Sequence, residues 1–193
     1  MQPKSSRVVS FLIATLCGGI FIGLSGCGRS ETGAPAPAPA APVADATFSD
    51  KGVTIGGKLI SLPCTEKEIT AVLGAPSRKV DMPKANTIFV WDDKGILAYF
   101  RPGTDDGHSV DIVLRPQHFP FSPKTVFAHN IIVGGKTISA NSSAADLKAA
   151  GFATTPPITF VWQRAEGKIE VDIATDPASN EITDISAEVP KAP

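Results

Sequence analysis

Two stretches of this chain occur twice, in the same order. Residues 53–61 read VTIGGKLIS and residues 131–139 read IIVGGKTIS, while residues 87–91 read TIFVW and residues 158–162 read ITFVW. Two ordered matches of this kind indicate an internal duplication. The sequence therefore predicts two copies of one small unit, and the fold must be one that a short unit can build twice.

The two units begin in the same way. In the first, residues 48–115, and in the second, residues 130–193, short β-branched runs flank a Gly-Gly pair at positions 56–57 and 134–135. Such pairs are typical of two-residue hairpin turns, because glycine reaches positive φ without steric cost. Each unit is thus predicted to start with a β-hairpin, and a connector at residues 116–129 joins the units.

A helix and further strands follow each hairpin. Thr65 precedes Glu68 by three positions, as Ser143 precedes Asp146, and both pairs have the spacing of a capping box at a helix start. Alternating apolar runs separated by Gly, Asp and Asn then predict an antiparallel three-stranded meander. The predicted fold class is α+β: two tandem repeats, each a β-hairpin, one short helix and an antiparallel three-stranded meander.

Aromatic residues divide into two groups. Trp91 and Trp162 stand at equivalent strand positions, and alternation with their neighbours predicts that both belong to the core. Phe119 and Phe121 lie instead in a proline-rich connector without strand or helix periodicity. They either plug a groove between the two units or present an apolar patch to a partner.

The amino terminus has the pattern of an export signal. Lys4 and Arg7 precede an almost wholly apolar run over residues 8–24, which is followed by the small residues Ser25 and Gly26 and then a cysteine. An uncleaved membrane anchor is the alternative, but the run is shorter than the ~20 residues that span a bilayer. The sequence Leu-Ser-Gly-Cys that ends the run resembles the lipobox of bacterial lipoprotein signal peptides.

The lipobox resemblance implies a processed and lipidated chain. Residues 1–26 would be removed, lipid would be attached to the sulfur of Cys27, and the new amino terminus would be acylated. Residue Gly28, in place of an aspartate, resembles the sorting pattern for the outer membrane, which implies the periplasmic face of that membrane in a Gram-negative bacterium. The Ala- and Pro-rich part of residues 27–47 favours an extended conformation and is predicted to be a tether.

A second resemblance concerns the repeated domain. Leu73-Gly74-x-Pro76 at a helix end, followed by a strand with a tryptophan, resembles a repeat of the β-lactamase inhibitory protein and of the small lipoprotein of the outer-membrane barrel-assembly machinery. A denser match, Asn86-Thr87 with Trp91-Asp92-Asp93-x-Gly95, resembles an uncharacterised domain family of bacterial proteins. These resemblances imply an envelope protein and carry no activity.

Few residues suggest catalysis. His108, His118 and His129 lack metal-ligand spacing; the first is predicted to lie solvated in a turn and the others in the connector. Cys64 is left alone once Cys17 departs and Cys27 is lipidated, so a buried apolar role is expected. An intermolecular disulfide and a nucleophile at a helix start are the alternatives for Cys64.

Two acidic pairs, at residues 92–93 and 105–106, are predicted to be turn residues, because neither has the spacing of a calcium loop. The net charge of −1 and the lack of a basic patch argue against nucleic acid as a partner. No catalytic, cofactor or metal site is predicted.

The predicted function is a non-enzymatic binding or scaffolding module at the membrane surface, held there by lipid on Cys27 and acting on an unidentified envelope protein. A cell-envelope enzyme with an unrecognised site and an accessory factor of an outer-membrane assembly or secretion machine are the alternatives.

Overall fold

The computed structural model describes residues 45–82 and 85–190. The predicted signal peptide, Cys27 and most of the predicted tether lie outside the described residues. Within them, no helix is long and apolar enough to cross a membrane. The elements are β1 (Ala46–Ser49), β2 (Gly52–Ile55), β3 (Lys58–Ser61), α1 (Glu66–Leu73), β4 (Arg78–Asp81), β5 (Thr87–Trp91), β6 (Ile96–Phe100), β7 (Gly107–Val113), β8 (Ile131–Val133), β9 (Lys136–Ile138), α2 (Ala144–Ala149), β10 (Ala153–Thr155), β11 (Ile158–Glu166), β12 (Ile169–Thr175) and β13 (Ile182–Glu188).

The strands form two sheets. One has five strands in the order β3-β2-β1-β8-β9, and the other has eight in the order β10-β11-β12-β13-β7-β6-β5-β4. Neighbouring strands are antiparallel throughout, except that β1 and β8 pair in parallel. The first and second halves of the chain meet inside both sheets, at the β1–β8 pair and at the β7–β13 pair.

The predicted α+β fold class is wrong. The described residues are mainly β, with 46% of them in strands and 10% in helices. A fourth strand, β4 or β10, precedes each predicted three-stranded meander, and the two meanders do not remain separate. The closing strands β7 and β13 would each leave an unpaired edge, and their pairing satisfies those backbone groups and yields one continuous sheet. Strand periodicity shows that a strand exists but not which strand it joins.

The amino-terminal strand was also not anticipated. Ala46 and Thr47, within the predicted tether, begin β1, the middle strand of the five-stranded sheet. Phe48 and Ala46 are buried on one face, in the alternation expected of a half-buried strand.

Local predictions from the sequence are confirmed. The central residues of both hairpin turns have positive φ, 61° and 75° at Gly56 and Gly57 and 55° and 74° at Gly134 and Gly135. Both capping boxes form: Thr65 and Ser143 accept from the backbone amides three positions on, and the carboxylates of Glu68 and Asp146 accept in return from the cap amides.

The main core lies between the two sheets and the helices. Strand alternation directs one face of each sheet inward, with Phe89, Phe100 and Trp91 among its large side chains. The Trp91 indole nitrogen donates to the carbonyl of Gly74 at 3.0 Å, which ties β5 to the end of α1. Trp162 is half-buried and packs against the same core.

The opposite face of the eight-stranded sheet, called here the outer face, carries a smaller cluster. Its buried members come from β5, β6 and β7, and the connector covers them with Phe121 and Val126; they are Ile88, Val90, Leu97 and Val113. The connector therefore covers part of the outer face, and this surface of the sheet is not flat.

Candidate functional site

A cavity of about 620 Å³ lies on the outer face, between the connector and the strands β6, β7, β12 and β13. Apolar side chains form most of its walls and a few polar groups form its floor. The lining residues are Leu97, Tyr99, Asp111, Val113, Pro116, Gln117, His118, Phe119, Phe121, Phe160, Ala174, Thr175, Asp176, Pro177, Thr183 and Asp184. The size and the mixture of residues are those of small-ligand sites.

The connector wall of the cavity is held by Arg78 on β4. Its guanidinium donates to the carbonyls of Pro120 at 3.0 Å and Ser122 at 2.7 Å, and it pairs with Asp92 at 3.3 Å. The Asp92 carbonyl in turn accepts from the Thr125 hydroxyl at 2.8 Å. These side chains and backbone groups thus fix the connector to the sheet before any ligand arrives.

Asp92 is a structural anchor rather than a turn residue alone. Its side chain is 10% exposed and also accepts from the Lys124 amide at 3.2 Å. Burial acts to raise the pKa of Asp92, but the hydrogen bond and charge of Arg78, aided by Lys124, hold this pKa below its usual value. The carboxylate therefore stays ionised and keeps its hold on the connector at neutral pH.

Aromatic rings form two sides of the cavity. Phe119 and Phe121 stack with centroids 5.4 Å apart and planes 8° from parallel. Phe121 is half-buried on the outer-face cluster, whereas Phe119 is 59% exposed. Phe160, which also lines the cavity, is 46% exposed, and its carbonyl accepts from the buried Thr175 hydroxyl at 3.1 Å. The connector phenylalanines thus cover the sheet face and wall the cavity, rather than filling a groove between separate units.

Carboxyl groups form the floor. Asp111 on β7 accepts from the Ser109 hydroxyl at 2.8 Å. Asp184 on β13 accepts with one oxygen, Oδ2, from the Gln117 amide and from the Thr183 hydroxyl, each at 2.7 Å. Antiparallel pairing places Asp184 opposite Val113, two positions along β7 from Asp111, so both carboxyls lie on the outer face.

The surroundings of the floor shift the pKa values of its ionisable side chains. Burial raises the pKa of Asp111 to about 7, and the charges of Asp184 and Glu188 add to the rise, against hydrogen bonds from Ser109 and Tyr99. Burial likewise raises the pKa of Asp184, opposed by its two donors, and raises that of Tyr99. Near neutral pH a fraction of the protein molecules therefore carries a proton on the carboxyls of the floor, as expected for two carboxyls that share a poorly solvated site.

The acidic character continues along the outer face. Burial, with the charge of Glu170, raises the pKa of Asp172 to about 6 against a hydrogen bond from Gln163, and the buried Oδ1 of Asp172 has no hydrogen-bond partner among the described residues. Within the described ranges, no lysine or arginine forms an ion pair with Asp111, Asp172 or Asp184.

Cys64, His108 and His129 do not line this cavity, whereas His118 does. Cys64 is free and 4% exposed, and burial raises its pKa to about 12, so it remains a thiol and is not an activated nucleophile. His108 does not lie solvated in a turn as predicted; it is half-buried in β7, because the strand begins one residue earlier. His129 packs edge-on against Phe127, and only His118 reaches the cavity rim.

The second acidic pair serves the fold. Asp105 accepts from the Glu66 amide at 2.6 Å at the start of α1, and Asp106 pairs with Arg101 at 2.7 Å. Both are turn residues, as predicted. In the part of the chain that the structure describes, no group of histidine, cysteine and carboxylate side chains is placed to hold a metal ion.

Sequence reasoning missed the cavity floor. The run over β7, GHSVDIV, places Ser109 and Asp111 on the face opposite Val110 and Ile112. A carboxylate in a strand with apolar neighbours on both sides was the available signal. Its meaning depended on Asp184, which comes from a strand in the other half of the chain.

Residues 46–148 match the model of a family described as "Domain of unknown function (DUF7738)". The chain belongs to this family. The match spans more than half of the sequence and includes β7 with Asp111, whereas Asp184 lies beyond it. Among curated protein sequences, none matches this chain.

Solved structures offer distant likenesses. An extracellular protein containing an SCP domain from Bacillus anthracis str. Ames aligns with a TM-score of 0.43 and 7% identity, over 66% of this chain and 43% of its own. A cysteine-rich secretory protein from Staphylococcus aureus subsp. aureus Mu50 aligns at 0.36 and 15%, over 66% and 43%. A DUF4309 family protein from Bacillus subtilis subsp. subtilis str. 168 aligns at 0.38 and 12%, over 65% and 78%.

This chain spans less than half the length of the first two of those proteins. TM-scores below 0.5 do not establish a shared fold, and no activity follows from them.

Proposed function

We propose that this protein is a non-enzymatic, lipid-anchored binding module of the bacterial envelope, and that the outer-face cavity is its ligand site. The observation that carries the proposal is the cavity itself, about 620 Å³ with aromatic walls and a carboxyl floor. Small-ligand sites are concave and mostly apolar, with a few polar groups that fix orientation, and groups with shifted pKa values gather in them.

The anchoring of the connector supports a preformed site. Arg78 and Asp92 hold the wall that carries Phe119 and Phe121, so a ligand would not need to order it. A preformed wall lowers the entropy cost of binding.

The proposed location of the protein at a membrane is inferred from the sequence. Lipid on Cys27 would attach the chain to a membrane, and Gly28 favours the periplasmic face of the outer membrane. A proline-rich tether extends by ~3.1 Å per residue, so residues 28–44 could hold the domain up to about 50 Å from the bilayer.

Native mass spectrometry of the lipidated protein, purified from bacterial envelopes in mild detergent, tests the binding function. We expect a reproducible small-molecule adduct on the wild type. Ala174→Trp, which fills the cavity, should abolish it, and Ala145→Trp on exposed α2 should keep it. An adduct that survives in Ala174→Trp would place binding elsewhere and contradict the proposal.

One observation favours an envelope enzyme as a second candidate. Asp111, with a pKa raised to about 7, retains a proton near neutral pH, as a general acid must, and Asp184 is a second carboxyl beside it. Incubation with purified cell-wall glycan, followed by chromatography of released fragments, decides this. Turnover that is lost in Asp111→Asn would support the enzyme, and absence of turnover in the wild type would support the binding module.

A further inference from the structure

Charge is distributed unevenly around the cavity. Three carboxyl groups line it, Asp111 and Asp184 on the floor and Asp176 at the edge. Among the lining residues that the structure describes there is no lysine or arginine, and His118 at the rim is the one basic side chain. An anionic ligand would meet repulsion here, and a cation would supply the charge that the site lacks.

The floor also has unused acceptor capacity. Both protein donors to Asp184 reach the same oxygen, Oδ2, at 2.7 Å. Within the described residues Oδ1 of Asp184 accepts no hydrogen bond, although the carboxylate lies in a largely apolar cavity. A carboxylate offers about four acceptor positions, so a donor on the ligand could use those that remain.

Aromatic faces stand where the rest of a ligand would lie. Phe119 and Phe121, whose rings are stacked, and Phe160 all line the cavity. An exposed aromatic face accepts a flat apolar group, and it also attracts a nearby cation through the negative charge of the ring face. The exposed fraction of Phe119, 59%, is large for a phenylalanine and would fall on occupation.

We propose that the cavity takes a small organic cation, a primary ammonium group on a flat apolar body, with the ammonium at Asp184 and Asp111 and the body between Phe119 and Phe160. This inference rests on the proposed function, because it names the ligand class of the same cavity.

Three probes of equal size separate charge from shape. Phenethylammonium, phenethyl alcohol and phenylacetate share the ring and the chain length and differ in carrying a positive, a neutral or a negative head group. Each is titrated by calorimetry into the mature full-length protein at pH 8, above the pKa of about 7 of the Asp111 carboxyl. We expect phenethylammonium to bind at least about tenfold more tightly than the alcohol, since charge-assisted hydrogen bonds exceed neutral ones, and phenylacetate not to bind.

Matched variants locate the effect. Asp184→Asn keeps the shape of the side chain and should weaken phenethylammonium by about tenfold or more while changing the alcohol less than twofold. Asp50→Asn, an exposed carboxyl in the turn between β1 and β2, should change neither. A thermal melt of each variant confirms that it is folded.

Equal affinity for the ammonium and the alcohol, preference for phenylacetate, or no binding of any probe would overturn the inference. These outcomes do not bear on the proposed function, which is tested by the envelope adduct and its loss in Ala174→Trp. The inferred ligand class and the proposed function can therefore fail separately. Weakening by Asp50→Asn as large as by Asp184→Asn would also overturn it, because binding would then follow net charge rather than the cavity.

Discussion

Asp111 should make the domain less stable as pH rises. The pKa of its carboxyl is about 3.8 in the unfolded chain and about 7 in the folded protein, because burial on the outer face disfavours the charge. A folded pKa above the unfolded one means that stability is fully present below pH ~4 and is lost as pH rises to about 7. The difference between the two pKa values corresponds to about 4 kcal/mol of stability lost above pH ~7.

Replacement of Asp111 by asparagine removes this charge and keeps the side-chain shape. At pH 8.5 we expect Asp111→Asn to be more stable than the wild type by about 2–4 kcal/mol, the lower end allowing for water that enters the cavity. At pH 4 the two proteins should differ by less than about 1 kcal/mol. The groups that face Asp111 are Tyr99, Asp184 and Glu188, and they remain in both proteins.

Urea unfolding at several pH values between 4 and 8.5 measures the effect. The two stability curves should diverge with rising pH, while Asp50→Asn, an exposed carboxyl, should follow the wild type throughout. Parallel curves for wild type and Asp111→Asn would refute the reasoning, because Asp111 would then ionise in the folded protein as it does in water.

Three further predictions concern the turn, the connector and the anchor. Gly57 has φ of 75° and open space around its Cβ position, so Gly57→Val should lower stability by about 1 kcal/mol or more through backbone strain alone, while Gly57→Asn should cost less; an unchanged thermal melt for Gly57→Val would disprove the strain. Phe121→Ser should cost about 2 kcal/mol and Phe119→Ser less than about 1, because only Phe121 is half-buried; equal losses in urea unfolding would contradict this. Cys27→Ser should abolish metabolic labelling with a radioactive fatty acid, and retained label would exclude lipid attachment at Cys27.

Local structure was predictable because its causes are local. The Gly-Gly turns and the two capping boxes depend on residues within a few positions of each other, and all are present as predicted. The sheet order was not predictable, because the β7–β13 pair joins strands from the two halves of the chain. Its hydrogen bonds are made by backbone groups that every non-proline residue carries, so the side-chain sequence does not identify the partner strand.

The candidate site escaped prediction for the same reason. Asp111 and Asp184 are far apart in sequence and meet only through the β7–β13 pair, and Phe160 arrives from a third strand. The connector could be recognised as unusual from Phe119 and Phe121, but its role depended on Arg78, which lies on β4, a strand that the sequence analysis did not predict.

The central claim is that the outer-face cavity is the ligand site. Two-dimensional amide NMR of the mature chain, titrated with phenethylammonium, tests it directly. We predict shifts confined to the cavity residues of β6, β7, the connector and the β12–β13 turn, and none in the five-stranded sheet. Shifts centred on the five-stranded sheet would contradict the account, whereas a spectrum that does not change at saturating probe would overturn the inferred ligand class.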